Sequence, residues 1–228
     1  MARGKPIPGI VWYGEDGDDS YTGTAGNDSL SGGGGNDTID GAAGNDSIYG
    51  NAGDDALFGG LGNDTIMGHD GNDAIDGGDG DDFLYGQEGN DTVNGGDGND
   101  TLGTGPGNDW LTGGLGADRF FFASNFVEGM NIHTITDFSR SQGDYIDLRS
   151  IDADGDSSNN SRKGNTDFTL VDGPSEIPGT AWMVPITDPS TGLPGVSLYL
   201  NTDSDPEADT RIDVWGPSSL VWGLDILG

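Results

Sequence analysis

The chain has 228 residues, with 40 acidic and 8 basic side chains, a net charge of −32 and no cysteine. A charge of this sign and size repels nucleic acid and anionic membrane surfaces, so neither is expected as a partner. The lack of cysteine excludes disulfides and thiolate metal sites. No apolar stretch is long enough for a transmembrane segment. The length allows two small domains.

Residues 1–16 are interpreted as an N-terminal cap or extension. The segment is polar and contains proline, and its apolar run Ile10–Tyr13 is too short for the hydrophobic part of a signal peptide. We expect this run to cover the first turn of the fold that follows. The alternative is that it docks a partner.

Residues 17–120 repeat one nine-residue unit: a glycine, a small polar residue, an aspartate, any residue, a large apolar residue and a glycine-rich spacer. The aspartates are Asp19, Asp28, Asp37, Asp46, Asp55, Asp64, Asp73, Asp82, Asp91, Asp100, Asp109 and Asp118. The apolar residues follow two positions later, at Tyr21, Leu30, Ile39, Ile48, Leu57, Ile66, Ile75, Leu84, Val93, Leu102, Leu111 and Phe120. Three residues around each apolar position are predicted to form a short strand with only the middle side chain pointing inward. Such a period predicts a stacked solenoid that needs a cation.

This unit resembles the RTX (hemolysin-type) nonapeptide, Gly-Gly-x-Gly-x-Asp-x-apolar-x, which binds calcium in a parallel β-helix repeat. The best copies are Gly32–Asp40 and Gly77–Tyr85. The resemblance implies an all-β fold, a right-handed parallel β-roll in which two units close one turn, so that aspartates of the same parity stack along one edge. It also implies the calcium ligands, which are the aspartates above and the loop glycines Gly26, Gly32, Gly35, Gly44, Gly53, Gly62, Gly71, Gly80, Gly89, Gly98 and Gly107.

Calcium also fits the charge pattern of the repeat. No Lys or Arg occurs from Pro6 through Asp118, so no side chain can neutralise the stacked carboxylates. Calcium takes six to eight oxygen ligands in flexible geometry, whereas magnesium requires a rigid octahedron. Zinc and copper are disfavoured because the chain has no cysteine and only two histidines. Ions that lie between stacked loops number at most about ten, and without them we expect a disordered, self-repelling chain.

A few positions depart from the repeat. Thr104 replaces the first glycine of a unit and Pro106 precedes Gly107, so a weak or distorted site is expected there. Ala117 replaces the small polar residue before Asp118. Extra acids in the later spacers are interpreted as solvated loop charges rather than ligands; they are Asp70, Asp79, Glu88 and Asp97.

Residues 121–228 are predicted to form a β-sandwich-like cap, because the period ends and strand-like segments follow. These segments are Arg119–Ala123, Ile132–Phe138, Asp144–Leu148, Leu198–Asp205 and Asp209–Val214. The region resembles the C-terminal domain of serralysin-type metalloproteases and the R-modules of alginate epimerases. The tail, residues 219–228, resembles an uncleaved type I secretion signal, and the alternative is a final strand. The resemblance therefore implies export from a Gram-negative bacterium through a type I channel.

Two acidic loops, residues 152–156 and 201–209, have spacings that resemble the start of an EF-hand loop. In the first loop Ser157 replaces the required glycine and Lys163 the bidentate glutamate, so it is not an EF-hand. In the second, Pro206 and Ile212 break the pattern. Looser calcium binding stays open for both loops.

No catalytic motif is found. The histidines, His69 and His133, lack a metal-binding partner at helical spacing, and neither a Gly-x-Ser-x-Gly elbow nor a cysteine nucleophile occurs. We therefore expect a secreted, extracellular or surface-associated calcium-binding protein that acts structurally, by self-association. The alternative is an accessory module of a protease or polysaccharide-modifying enzyme, which binds an anionic polysaccharide through calcium.

Overall fold

The structure is a computed structural model of the chain. It describes residues 7–122 and 131–148, and the strands at 169–170, 180–187, 194–201, 210–215 and 226–227. The described residues form strands and turns without a helix, which confirms the all-β prediction. Within this part of the chain, no helix has the length and apolarity needed to cross a membrane.

The strands alternate between two sheets. The first sheet contains, in spatial order, β1 (Val11–Tyr13), β3 (Ser29–Gly34), β5 (Ser47–Ala52), β7 (Thr65–Asp70), β9 (Phe83–Glu88), β11 (Thr101–Thr104), β13 (Arg119–Phe122), β15 (Tyr145–Asp147) and β20 (Ile226–Leu227). The second contains β2 (Ser20–Thr22), β4 (Thr38–Asp40), β6 (Ala56–Leu61), β8 (Ala74–Asp79), β10 (Thr92–Asp97), β12 (Trp110–Leu115), β14 (Asn131–Ile135), β19 (Thr210–Trp215), β18 (Pro194–Asn201), β17 (Thr180–Thr187) and β16 (Thr169–Leu170). Neighbouring strands of each sheet within the repeat pair in parallel, and paired residues are eighteen positions apart, as Ile48 and Ile66 are. The predicted roll with two units per turn is confirmed.

The apolar residue of each unit points between the two sheets. Buried residues from both sheets form one continuous core that runs from Leu30 to Val214. Trp12 and Tyr21 pack against its N-terminal end, with their rings stacked at 4.5 Å between centroids. Because Trp12 stands opposite Leu30 in the register of β1 and β3, the run Ile10–Tyr13 supplies a strand of the roll.

The strands are longer than the expected three residues. Most span six, as in β7, where Ile66 and Gly68 both point inward and are buried. The pairing continues past the apolar residue because glycine, without a side chain, fits the narrow corner of the roll. The chain then turns at a second glycine with positive φ, such as Gly71 at 134°.

The predicted C-terminal strands are present where the structure describes them. Asp137 binds the second half of β12 with both carboxylate oxygens, which accept the N–H groups of Gly113 (2.9 Å) and Gly114 (2.8 Å). Phe138 is buried against Phe120. Beyond β14, the second sheet continues through β19 into the antiparallel strands β18 and β17.

The tail contributes β20, which pairs with β15 as the predicted final strand. The acidic loop at 152–156 lies outside the described residues, as do 202–209 of the second loop and Ala123.

One alanine occupies a backbone conformation that favours glycine. Ala42 has a φ of 73°, at the position held by Gly60 and Gly78 in later turns. Replacing Ala42 with glycine should raise the free energy of unfolding by about 0.5–1 kcal/mol, because the left-handed penalty exceeds the entropy that glycine adds to the unfolded state. The urea midpoint in saturating calcium measures this change.

Ala43 provides the matched control, because it lies next to Ala42 but bridges to Leu61 without a left-handed φ. Ala43→Gly should lower the free energy of unfolding by about 0.4–1 kcal/mol. Equal destabilisation by the two substitutions would show that the backbone at Ala42 carries no strain.

Candidate metal centre

The repeated aspartates form two rows, one on each edge of the roll. Each aspartate lies just before a strand, two residues ahead of the inward apolar side chain. The first-sheet row contains Asp28, Asp46, Asp64, Asp82, Asp100 and Asp118, and the second-sheet row contains Asp19, Asp37, Asp55, Asp73, Asp91 and Asp109. All of these side chains are buried except Asp19, which is half-buried in the first turn. Carboxylates are rarely buried without a partner, so each row requires compensating interactions.

One oxygen of each interior carboxylate is satisfied by the backbone. The Asp46 N–H donates to Oδ1 of Asp64 at 2.7 Å, and the Asp64 N–H donates to Oδ1 of Asp82 at 2.7 Å. The same bond recurs along both rows, always from one turn to the aspartate eighteen residues later. The repeat predicted the aspartates but not this backbone role, which depends on how tightly the turns stack.

The other oxygen has no donor. Among the described residues, Oδ2 is buried without a hydrogen-bond partner in Asp37, Asp46, Asp55, Asp64, Asp73, Asp82, Asp91, Asp100 and Asp118. An unpaired buried carboxylate oxygen is costly. Its repetition at equivalent positions therefore points to a missing positive partner.

A backbone carbonyl approaches the same place as this oxygen. The position that a Cβ atom would take on Gly41 lies 2.5 Å from Oδ2 of Asp46 and 2.7 Å from the carbonyl oxygen of Gly59 in the next turn. Equivalent pairs of oxygens converge on the first glycine of neighbouring units, as at Gly50 and Gly77. A carboxylate oxygen without a donor and a carbonyl oxygen that approach the same point fit a hard cation with oxygen ligands.

The predicted loop glycines serve two purposes. The first kind is the first glycine of a unit, such as Gly32, where a side chain is excluded because the Asp37 carboxylate occupies that space. The second kind precedes each aspartate by two residues and turns the chain, with φ between 117° and 148° in Gly35, Gly44, Gly53, Gly62, Gly71, Gly80, Gly89, Gly98 and Gly107. Gly26 holds the equivalent place in the first turn, where a Cβ would meet the backbone of Gly9 and Ile7. Both kinds bring carbonyl oxygens close to a neighbouring turn.

Burial governs the protonation of the rows. It raises the pKa of Asp46, Asp55, Asp64 and Asp73 to about 6, and that of Asp91 and Asp100 to about 7. The donated N–H bond lowers each pKa but does not offset burial, and neighbouring carboxylates in the row raise the pKa of most of them further. The rows therefore favour either a proton or a cation near neutral pH.

A second row of hydrogen bonds runs along the surface beside each aspartate row. The residue before each aspartate accepts, through its side chain, the N–H of its equivalent in the next turn, as when Asn63 N–H donates to Asn45 Oδ1 at 3.2 Å. Ala117 donates its N–H to Asn99 at 3.0 Å but has no acceptor to continue the row. The extra acids Asp70, Asp79, Glu88 and Asp97 are exposed, as expected for solvated charges.

The ends of the rows differ from the interior. Thr24 donates its N–H to Oδ2 of Asp28 at 2.6 Å, so the first turn has a protein donor where the turns from Asp37 to Asp100 have none. At the other end, Asp144 continues the first-sheet row: its Oδ1 accepts the N–H of Asp118 (3.1 Å) and its Oδ2 that of Ser139 (2.7 Å). The nine-residue period did not predict Asp144 as a member of the row, although Asp144-Tyr145-Ile146 repeats the Asp-x-apolar signal.

No cluster of three His, Cys, Asp or Glu side chains suited to a metal exists in the described ranges. A cation bound here would take most of its ligands from loop carbonyls, with one or two carboxylates, as the repeat predicts.

Known proteins provide independent comparisons. The family of the RTX calcium-binding nonapeptide repeat (4 copies) matches residues 13–48, 31–66, 67–102 and 95–124. The solution structure of the AlgE6R3 subunit from the Azotobacter vinelandii mannuronan C5-epimerase is similar at 21% identity, over 94% of this chain and 80% of that chain, with a TM-score of 0.32. No curated protein matches the chain. The repeat region of this chain, residues 13–124, belongs to the RTX calcium-binding nonapeptide repeat family.

Proposed function

We propose that this chain is a secreted, non-catalytic calcium-binding protein whose roll folds when extracellular calcium enters its turns. The observation that carries the proposal is the set of buried Oδ2 atoms without a donor within the described residues. Calcium would be held by these carboxylates and by the loop carbonyls that converge on the first glycines, such as Gly41. Its chemistry there is charge neutralisation, which allows the turns to stack.

Extracellular conditions suit such sites. Loops with one or two carboxylates and several carbonyls are expected to bind calcium weakly, and extracellular modules bind at about 0.1–1 mM. In the low calcium of a cytosol, the chain would stay unfolded and suited to a type I channel. We propose that, after export, it acts structurally at the cell surface or in the matrix, by self-association through the open edges of its sheets.

The outer face of the first sheet favours a second candidate, binding of an anionic polysaccharide by an accessory module. Tyr49, Met67 and Tyr85 stand side by side on neighbouring strands. The Phe121 ring lies 5.5 Å from the Tyr85 ring. The Arg119 guanidinium lies over the Phe121 ring, 5.2 Å from its centroid. Half-buried aromatic rings on a sheet face can stack on sugars. The Arg119 guanidinium is already paired with Asp147 at 2.8 Å, so the rings carry this candidate function.

The proposed function predicts a calcium-coupled fold. Addition of calcium to the chelator-treated protein should produce β-structure, followed by circular dichroism, near millimolar concentration, whereas magnesium should not. Asp64→Asn should shift the calcium midpoint to higher concentration by roughly three- to tenfold, because it removes a charged ligand from one turn. The proposal fails if the protein is already folded in excess chelator.

Asp70→Asn is the matched control, because it makes the same charge change on an exposed residue outside the rows. Its calcium midpoint should stay within about twofold of the wild-type value, since exposed charges interact weakly. A shift equal to that of Asp64→Asn would mean that overall charge, and not the buried row, controls folding.

Acid should partly replace calcium in folding. The row pKa values of about 6 to 7 in the metal-free fold exceed the value of 3.8 for a free aspartate, so protonation favours this fold. Protonation of the rows stabilises the metal-free fold fully at pH values below the pKa of the aspartates in the unfolded chain. This stabilisation is lost as the pH rises through 6 to 7. In chelator, β-structure by circular dichroism should therefore be greater at pH 5 than at pH 8.

Added sodium chloride at pH 8 is the control for this effect, since it screens repulsion without protonating the rows. If salt alone produced as much β-structure as pH 5 does, general charge repulsion would explain the result. In calcium, the midpoint should move to higher concentration as pH falls from 8 to 5, because protons compete for the same oxygens.

Two measurements separate the structural role from polysaccharide binding. Light scattering in calcium should show growth in mass with protein concentration if the chain self-associates. If the aromatic face binds sugar, the protein should remain monomeric and bind an alginate oligosaccharide, and Tyr85→Ala should weaken this binding at least fivefold. Trp110→Ala, an exposed aromatic on the second sheet, should leave that affinity unchanged.

A further inference from the structure

The second-sheet row ends on a histidine. The register of β12 and β14 pairs Trp110 with Thr134 and Leu111 with Ile135. His133 therefore stands opposite Asp109, at the place where every preceding turn of this row carries an aspartate. The interval from Asp109 to His133 is 24 residues instead of 18, which hides this equivalence in the sequence.

Both oxygens of Asp109 have partners from the protein. Oδ1 accepts the N–H of Asp91 at 2.8 Å, as in the rest of the row. Oδ2 lies 2.8 Å from Nδ1 of His133, and both side chains are fully buried. A carboxylate only accepts, so His133 carries its proton on Nδ1 and donates to the oxygen that is orphaned in Asp91.

The surroundings of Asp109 also differ from those of the interior sites. Thr104, fully buried, stands where other units have the first glycine, the point on which the oxygens converge. Its Oγ1 lies 3.4 Å from His133 Nδ1. On another side, the Phe122 ring packs 5.0 Å from the imidazole. The imidazole that contacts this carboxylate is therefore itself held beside a hydroxyl and an aromatic ring.

We propose that His133 and Thr104 take the place of the metal ion at Asp109 and close the second-sheet row without calcium. The inference rests on the proposed function, since it concerns which turns take an ion. The second-sheet row then holds calcium only up to Asp91. The first-sheet row extends one turn further, because Asp118 keeps an unpartnered Oδ2 within the described residues and is followed by Asp144. Asp109, which the repeat assigns to calcium, acts as the acceptor of an internal cap.

The test compares two equivalent substitutions, Asp91→Asn and Asp109→Asn, in the full chain with calcium chloride as the only added ligand. Calcium stoichiometry is measured by equilibrium dialysis at saturation. Asp91→Asn should lose at least one ion per chain, whereas Asp109→Asn should bind as many ions as wild type. Equal losses in the two variants overturn the histidine closure. A wild-type chain that binds no calcium would overturn the proposed function itself.

The converse change should create a site. Thr104→Gly combined with His133→Asp restores the residues found in interior turns, so the double variant should bind one ion more than wild type. An unchanged stoichiometry in a folded double variant counts against the proposal.

A spectroscopic measurement tests the same point without substitution at the row. The chain has only two histidines, so imidazole nitrogen resonances of labelled protein are simple, and His69→Gln assigns them. In saturating calcium, the His133 Nδ1–H should be observed and protected from exchange with water. Its loss on calcium saturation would show that an ion displaces the imidazole from Asp109 and would overturn the proposal.

Discussion

The roll depends on one constraint, a buried carboxylate with one satisfied and one unsatisfied oxygen in almost every unit. Oδ1 takes the N–H of the preceding turn, so the side chain cannot turn outward without breaking a backbone interaction. Oδ2 is thereby held inside, and no Lys or Arg exists between Pro6 and Asp118 to neutralise it. Under the proposed function, folding and cation uptake are therefore coupled in this region at neutral pH.

Two hydrogen-bonded rows with opposite direction fix the distance between turns. In the buried row the N–H donates towards the C-terminus, and in the surface row beside it the N–H donates towards the N-terminus. Identical units would permit a slip of a whole turn with every bond preserved. The distinct ends exclude this slip, because Trp12 stacks on Tyr21 at one end and Asp144 and His133 meet their partners at the other.

The nine-residue period predicted the parts of the structure that depend on local spacing. These include the parity of the rows, the inward column such as Ile48 and Ile66, and the parallel pairing. It did not predict the six-residue strands or the donation of Asp46 N–H to Asp64, since both arise from the close stacking of glycine corners. The period did not predict His133 and Asp144 as members of the rows. They follow the last aspartate of their row by 24 and 26 residues, which breaks the period although the strand register continues.

The direction of the buried row also explains why the chain continues past the last unit. Each aspartate N–H needs an acceptor in the following turn, so no turn of the repeat is complete by itself. The N–H of the last repeat aspartate therefore needs an acceptor outside the period, and Asp144 provides this acceptor for Asp118. Ser139 in turn donates to Asp144, and Asp137 binds the glycine corner of β12. Residues 131–148 therefore accept the hydrogen bonds that the last turns of the repeat leave open.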